Sequence, residues 1–255
     1  GHVLCDINGL NGESWVVCRN QEYLKLEISD EDRNMAAEYL KEVISKRQSN
    51  KVYDETLNFV TVDGQHVFVA GVELFGAGIL PKGSKSSEAG APLYNGNIEL
   101  LNDVCLSLDD EVNVIYKGHP NMGASEKVSV PYSDRLIIAG DVEIFKLIEK
   151  SDVVVTLMSS VAQLALAAGK PVVLVGKNPM WGKGCTYEVS SKANLKETLE
   201  SALSSGLTSA QRTAFTDYVA RELKYVMYGI AGTGRSIEQF IDDLRQGRLG
   251  QFVDY

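Results

Sequence analysis

Between His66 and Gly176 the chain alternates short β-branched runs with amphipathic stretches, and this alternation constrains the fold more than any other feature. HVFVAGV, VNVIYKG, RLIIAG, VVVTLM and PVVLVG each read as a strand buried on both faces. Asn97–Leu108, VEIFKLIEK and SVAQLALAAG read as the helices between them, with Asp141 as the expected cap of the second. Continuous apolar strands separated by helices predict a parallel sheet covered on both sides, with right-handed crossovers. The expected class is therefore α/β, a Rossmann-like sheet with helices on both faces, followed by C-terminal helices over about 191–204, 208–228 and 236–246.

The flanks read differently. VLCDIN (3–8) and SWVVCR (14–19) are expected to be two strands joined by the turn-rich GLNGE. Ser29-Asp30-Glu31-Asp32 opens a helix whose apolar stripe is Ala36, Leu40, Val43 and Ile44. Gln48–Gln65 reads as a polar linker. The expected division is an N-terminal αβ segment over 1–65, a nucleotide-sugar-binding domain over 66–205 and helices over 206–255. A first domain of that size is reduced, absent from this chain or supplied by another. The start Gly1-His2, without Met, reads as a processed or truncated one.

Composition closes several routes. A net charge of −9 gives no general attraction to nucleic acid or anionic lipid. The four cysteines (Cys5, Cys18, Cys105, Cys185) form no CxxC, which fits a reducing compartment, and the three histidines have no metal spacing. No run approaches the length of a membrane span, and no signal peptide is recognised. The dinucleotide fingerprint G-x-G-x-x-G, the P-loop and the G-x-S-x-G elbow are all missing, which argues against NAD enzymes, P-loop ATPases and serine hydrolases.

Three strand ends carry polar groups instead. Residues just beyond the carboxyl ends of parallel strands project into the ligand crevice of open α/β sheets. Lys117-Gly118-His119-Pro120 follows one strand, and a lysine and a histidine there can meet a phosphate by charge and by directed donors. Ser159-Ser160 lies where VVVTLM hands over to a helix, beside unpaired N–H groups. The plainer reading of these serines is helix capping, and the two readings are compatible. Trp181-Gly182-Lys183-Gly184-Cys185-Thr186 follows the next strand, and Trp181, Gly184 and Thr186 can border a base or sugar. Together these elements point to a held sugar nucleotide. Glu73 ends the first strand, and Glu13 sits in the N-terminal turn; they are the candidate acids for a transfer reaction. A double displacement needs a carboxylate nucleophile and a second acid/base group.

K-G-H-P, D-V-E-I-F-K-L-I-E-K-S-D-V-V-V-T-x-x-S-S, A-x-x-x-G-K-P-V-V and W-G-K-G-C-T together resemble the bacterial capsule polysaccharide synthesis proteins, the β-Kdo transferases. The likeness runs from about Ile44 to Tyr187. The HP and SS elements are also similar to those of bacterial sialyltransferases. The resemblance implies a GT-B fold and a CMP-Kdo or similar CMP-ulosonate donor, with Kdo passed to a surface polysaccharide or lipid-linked glycan with retention. It implies that His119, Ser159 and Ser160 contact the donor phosphate and that Thr186 lies near the nucleotide. It implies no metal and no cofactor beyond the donor. The expected place is the cytoplasm, soluble or peripheral at the inner membrane beside polysaccharide assembly machinery. The chain departs from the family at V-E-L-F-G-A-G, where relatives carry a Q-V-x-D-D-like acidic run and Glu73 is the only acid. Two alternatives stay open: a non-catalytic glycan- or nucleotide-binding module, and another GT-B enzyme such as a UDP-sugar transferase or an epimerase.

Overall fold

A computed structural model describes residues 2–4, 14–49, 63–73, 93–119, 133–140, 142–229 and 235–248. Glu13, Pro120, Asp141 and most of the long loop before Asn97 lie outside the described residues.

The centre is a six-stranded parallel sheet built from β2 (His66–Ala70), β3 (Asn113–Lys117), β4 (Leu136–Ile138), β5 (Val153–Thr156), β6 (Val172–Leu174) and β7 (Tyr187–Glu188). Their order is β4-β3-β2-β5-β6-β7. In β2 the side chains alternate between two cores. Val67 and Val69 join Val114, Tyr116, Val153, Val155 and Val173 on one face. Phe68 and Ala70 join Ile115, Val154, Val172 and Leu174 on the other. That two-sided burial explains why β2, β3, β5 and β6 read as unbroken apolar runs; RLIIAG, expected to be buried on both faces, is instead the edge strand β4, which leaves Ile138 53% exposed.

The first face is covered by two helices, α4 (Asn97–Ser107) through Leu100, Leu101 and Val104, and α7 (Leu195–Ser205) through Leu195, Leu199 and Ala202. The second is covered by α5 (Ile144–Lys150), α6 (Val161–Ala167) and α8 (Ser209–Arg221). Tyr23 and Ala36, from the N-terminal flank, enter the same core. Ala36 belongs to α3 (Asp30–Ser49). Ser29 and Asp32 cap that helix reciprocally: Ser29 N–H donates to Asp32 Oδ2 at 2.8 Å, and Asp32 N–H donates to Ser29 Oγ at 3.2 Å. Arg33 Nε donates to Asp217 Oδ1 at 2.8 Å, which ties α3 to α8.

Three local expectations are corrected. SWVVCR is helical, forming α1 (Trp15–Cys18) and, after one turn residue, α2 (Asn20–Tyr23). A short apolar run fits either period, and here packing decides: Val16 and Tyr23 are buried, while Arg19 lies over the Trp15 ring four residues back, 4.3 Å from its centroid. The cap of α5 is Glu143, whose carboxylate accepts from Phe145 N–H at 2.7 Å and Lys146 N–H at 3.1 Å, because Val142 and Glu143 stay outside the helix. The helix expected over 208–228 ends at Arg221. It widens into a π-helical turn, Glu222–Val226, with Glu222, Leu223 and Val226 inside. It then becomes β8 (Met227–Gly229), which pairs antiparallel with β1 (His2–Leu4). β7 is too short to show as a run in the sequence.

The last helix, α9 (Ile237–Gln246), docks on this ribbon. Tyr228 Oη donates to Asp243 Oδ2 at 2.8 Å, and Arg235 pairs with the same carboxylate, with Arg235 and Asp243 only 5% and 1% exposed. No helix among the described residues is long and apolar enough to cross a membrane.

Candidate functional site

In this sheet β3 and β4 lie to one side of β2, and β5, β6 and β7 to the other. The chain leaving β2 goes to α4 on one face, and the chain leaving β5 goes to α6 on the opposite face. Open α/β sheets place their ligand crevice where successive connections part in this way, outside the carboxyl ends of the strands. The polar strand ends found in the sequence converge on that edge.

The β2 exit, Gly71-Val72-Glu73, is held from three sides. Gly71 N–H donates to Lys117 O at 2.8 Å. A Cβ on Gly71 would lie 3.0 Å from that oxygen and 3.1 Å from Gly118 Cα, so a larger residue would have to push the two exits apart by a few tenths of an ångström. Asn97, the first residue of α4, is 2% exposed. Its Nδ2 donates to Val72 O, and Val72 N–H donates to its Oδ1, both at 3.0 Å. The amide thus continues the β2 ladder by one residue and fixes the backbone just before Glu73. From β5, Thr156 Oγ1 donates to Ala70 O at 3.1 Å and accepts from Ser159 N–H at 3.3 Å. The fully buried Thr156 hydroxyl therefore ties the β2 end to the turn that carries the serine pair.

Asn97 had no signal in the sequence beyond its place at a helix start. Asn97→Ala leaves two buried backbone groups of Val72 without a partner, at about 1–3 kcal/mol for each. The expected result is a loss of several kcal/mol of unfolding free energy in urea, and Asn97→Asp should lose a similar amount because it sets an oxygen against Val72 O.

The two serines divide their work. Ser159 Oγ accepts from Val161 N–H at 3.2 Å and so caps α6. Ser160 makes no side-chain cap bond and is exposed at the turn. Lys117 Nζ donates to Gly140 O at 2.6 Å, which links the ends of β3 and β4. His119 is half-buried two residues on, and Glu73 is half-buried beyond β2.

The loop after β6 is shaped by its neighbours. Gly182 has φ +74°, and a Cβ there would stand 2.6 Å from Asn20 Nδ2. Its N–H donates to Glu188 Oε1 at 2.6 Å, and Thr186 Oγ1 donates to the same oxygen at 3.3 Å. Burial pushes the Glu188 carboxyl above its usual range, against these two bonds and the nearby Lys183 charge, which lower it. Thr186 is thus buried against Glu188, and Gly184 is exposed at φ +75°. Glu188, the last residue of β7, went unremarked in the sequence because its contacts come from a loop six residues earlier. The structure brings Glu73, Lys117, His119, Ser159 and Ser160 to one edge of the sheet, with Gly184 and Thr186 in the loop beyond β6; Glu13 and Pro120 lie outside the described residues.

The order of strands and the helices on both faces define an α/β protein with a Rossmann-like sheet. The same fold occurs in two β-Kdo transferase structures of Thermosulfurimonas dismutans KpsC. The β-Kdo 2,7 transferase superposes with a TM-score of 0.51 at 22% identity, over 90% of this chain and 67% of that one. The β-Kdo 2,4 transferase gives 0.53 at 16% identity, over 86% of this chain and 64% of that one. This chain spans about two thirds of their length. Residues 95–220, just under half of the chain, match the family model described as capsule polysaccharide biosynthesis protein. No curated protein matches the chain.

Proposed function

We propose that this protein is a glycosyltransferase that takes Kdo or a similar ulosonate from a CMP-linked donor and transfers it, with retention, to a bacterial surface polysaccharide or lipid-linked glycan. The observation that carries the reading is the convergence of the β2, β3 and β5 exits on one edge of the sheet, in a chain whose residues 95–220 match the capsule polysaccharide biosynthesis family model. In this reading His119 and Ser160 donate to the phosphate of the leaving CMP, Ser159 sets the turn that presents Ser160, and Lys117 adds positive charge. Charge that develops on the departing phosphate is stabilised by donors already in place. Glu73 supplies the carboxylate of the transfer step. The scheme uses no metal and no cofactor beyond the donor. The acting place is the cytoplasm, at the face of the membrane where surface glycans are assembled.

The test is a thermal-shift panel of CMP, UDP and GDP on the intact chain. A ligand at about a hundred times its Kd adds roughly 2.7 kcal/mol to the folded state. For a chain of this size that is a rise of roughly 5–10 °C in Tm. CMP is expected to give it, and UDP and GDP are not. A rise with UDP alone would move the assignment to a UDP-sugar enzyme. The lone acid of V-E-L-F-G-A-G favours a second reading, a binding module that holds the nucleotide sugar without turning it over. Mass spectrometry of CMP-Kdo incubated with acceptor glycans separates the two, because only the transferase forms product.

A further inference from the structure

Lys183 stands between two glycines in the loop after β6, and the sequence alone assigns it no role. In the folded chain its side chain runs inward and is 6% exposed. The ammonium donates to Val16 O, within α1, at 2.7 Å and to the side-chain oxygen of Asn20, at the start of α2. It also reaches Trp181 O at 3.4 Å and sits 4.6 Å from the centroid of the Tyr23 ring. Asn20 returns the contact, its Nδ2 donating to Gly182 O at 3.1 Å. The loop and the segment 14–23, some 160 residues apart in sequence, are therefore joined by bonds in both directions.

A buried lysine is costly unless its hydrogen bonds and charge are met. Here the bonds are met by a carbonyl, an amide oxygen and an aromatic face. Glu222, whose charge acts on it more than that of any other acid, sits beyond Tyr23, whose Oη donates to Glu222 Oε1 at 2.9 Å and to Tyr218 O at 3.1 Å. Burial brings the Lys183 ammonium down to about 8 and the Glu222 carboxyl up to about 7. Cys185, Glu188 and Arg221 also act on the lysine charge, and Tyr218 is coupled to Glu222. A solvent-facing lysine would have avoided all of this desolvation, so the inward geometry marks a structural task for Lys183 that a surface loop does not need.

We propose that Lys183 is a positioning residue: it fastens the loop Trp181–Thr186 to the helical segment 14–23, so that the N-terminal helices set where this wall of the ligand crevice stands. The consequence for ligand rests on the CMP-sugar reading above, and the fastening itself does not. The chain has two tryptophans, and they flank this junction, Trp15 in α1 and Trp181 in the loop. Intrinsic fluorescence therefore reports the junction without any ligand.

The experiment compares Lys183→Met, Asn20→Ala and the double variant with the parent chain, all checked for fold by circular dichroism. Each single variant is expected to shift tryptophan emission to the red and to weaken CMP binding about tenfold by calorimetry. The double variant should lose little beyond either single one, because both substitutions break one connection and coupled residues are non-additive. Parent-like emission and CMP affinity in folded single variants would overturn the proposal, as would losses that multiply to roughly a hundredfold in the double. Should Lys183→Met fail to fold, Asn20→Ala, at a half-exposed position, decides by the same readouts. If the parent chain does not bind CMP, the nucleotide reading fails, and the emission shifts alone decide the fastening.

Discussion

Glu73→Gln is expected to lower the rate of Kdo transfer about 10²–10⁴-fold while leaving CMP affinity within about twofold of the parent chain, the range that removal of a positioned acid, base or nucleophile commonly costs. The expectation follows from where the residue is held. Its backbone is fixed one residue upstream by the two-bond clamp of Asn97 on Val72, and two residues upstream by the bond from Gly71 to Lys117 O. A carboxylate on so constrained a strand end keeps its place through a reaction, which is what proximity demands of a reacting group. Gln preserves shape and one acceptor but can neither form a glycosyl ester nor exchange a proton. Single-turnover measurement with CMP-Kdo, with calorimetry for CMP, separates the two effects. A parent-like rate in Glu73→Gln would remove the residue from the reaction and pass the role to another acid, Glu13 being the other candidate.

His119→Ala is expected to act on the other side of the bond. Here the loss falls on binding: a hydrogen bond to a charged group contributes about 1.5–3 kcal/mol. That corresponds to roughly 10- to 150-fold weaker CMP binding. The fold should be untouched, because His119 lies beyond the end of β3 and outside both cores. The control is cytidine, which lacks the phosphate and should bind both forms alike. Equal CMP affinity in parent and variant, by calorimetry, would take His119 out of the phosphate site. An equal loss for cytidine would mean that the histidine supports the base or the fold instead of the phosphate.

The sheet was legible because its information is local. Runs such as VVVTLM and PVVLVG are apolar on both faces, and no other element of comparable length has that pattern. The strand ends were legible for the same reason, since Lys117, His119, Ser159 and Ser160 stand next to the runs that place them. What stayed hidden depends on contacts made across the chain. SWVVCR carries no period long enough to choose helix over strand, and Val16 and Tyr23 choose it by packing on a core whose other members run from Ala36 to Val226. Asn97, Lys183 and Glu188 look like ordinary polar residues in sequence. Their roles come from the carbonyls and amides that the fold sets against them at separations of 25, 167 and 6 residues. The π-helical turn was also illegible, because an added residue per turn alters no local composition.

The pairing of His2–Leu4 with Met227–Gly229 has a further meaning for how the molecule is organised. Strand β8 carries Tyr228, Tyr228 holds Asp243, and Asp243 holds Arg235, so the opening residues and the final helix are links of one short circuit. Residues 2–4 and 235–248 thus meet on a two-stranded ribbon separate from the six-stranded sheet, a clasp between segments more than two hundred residues apart.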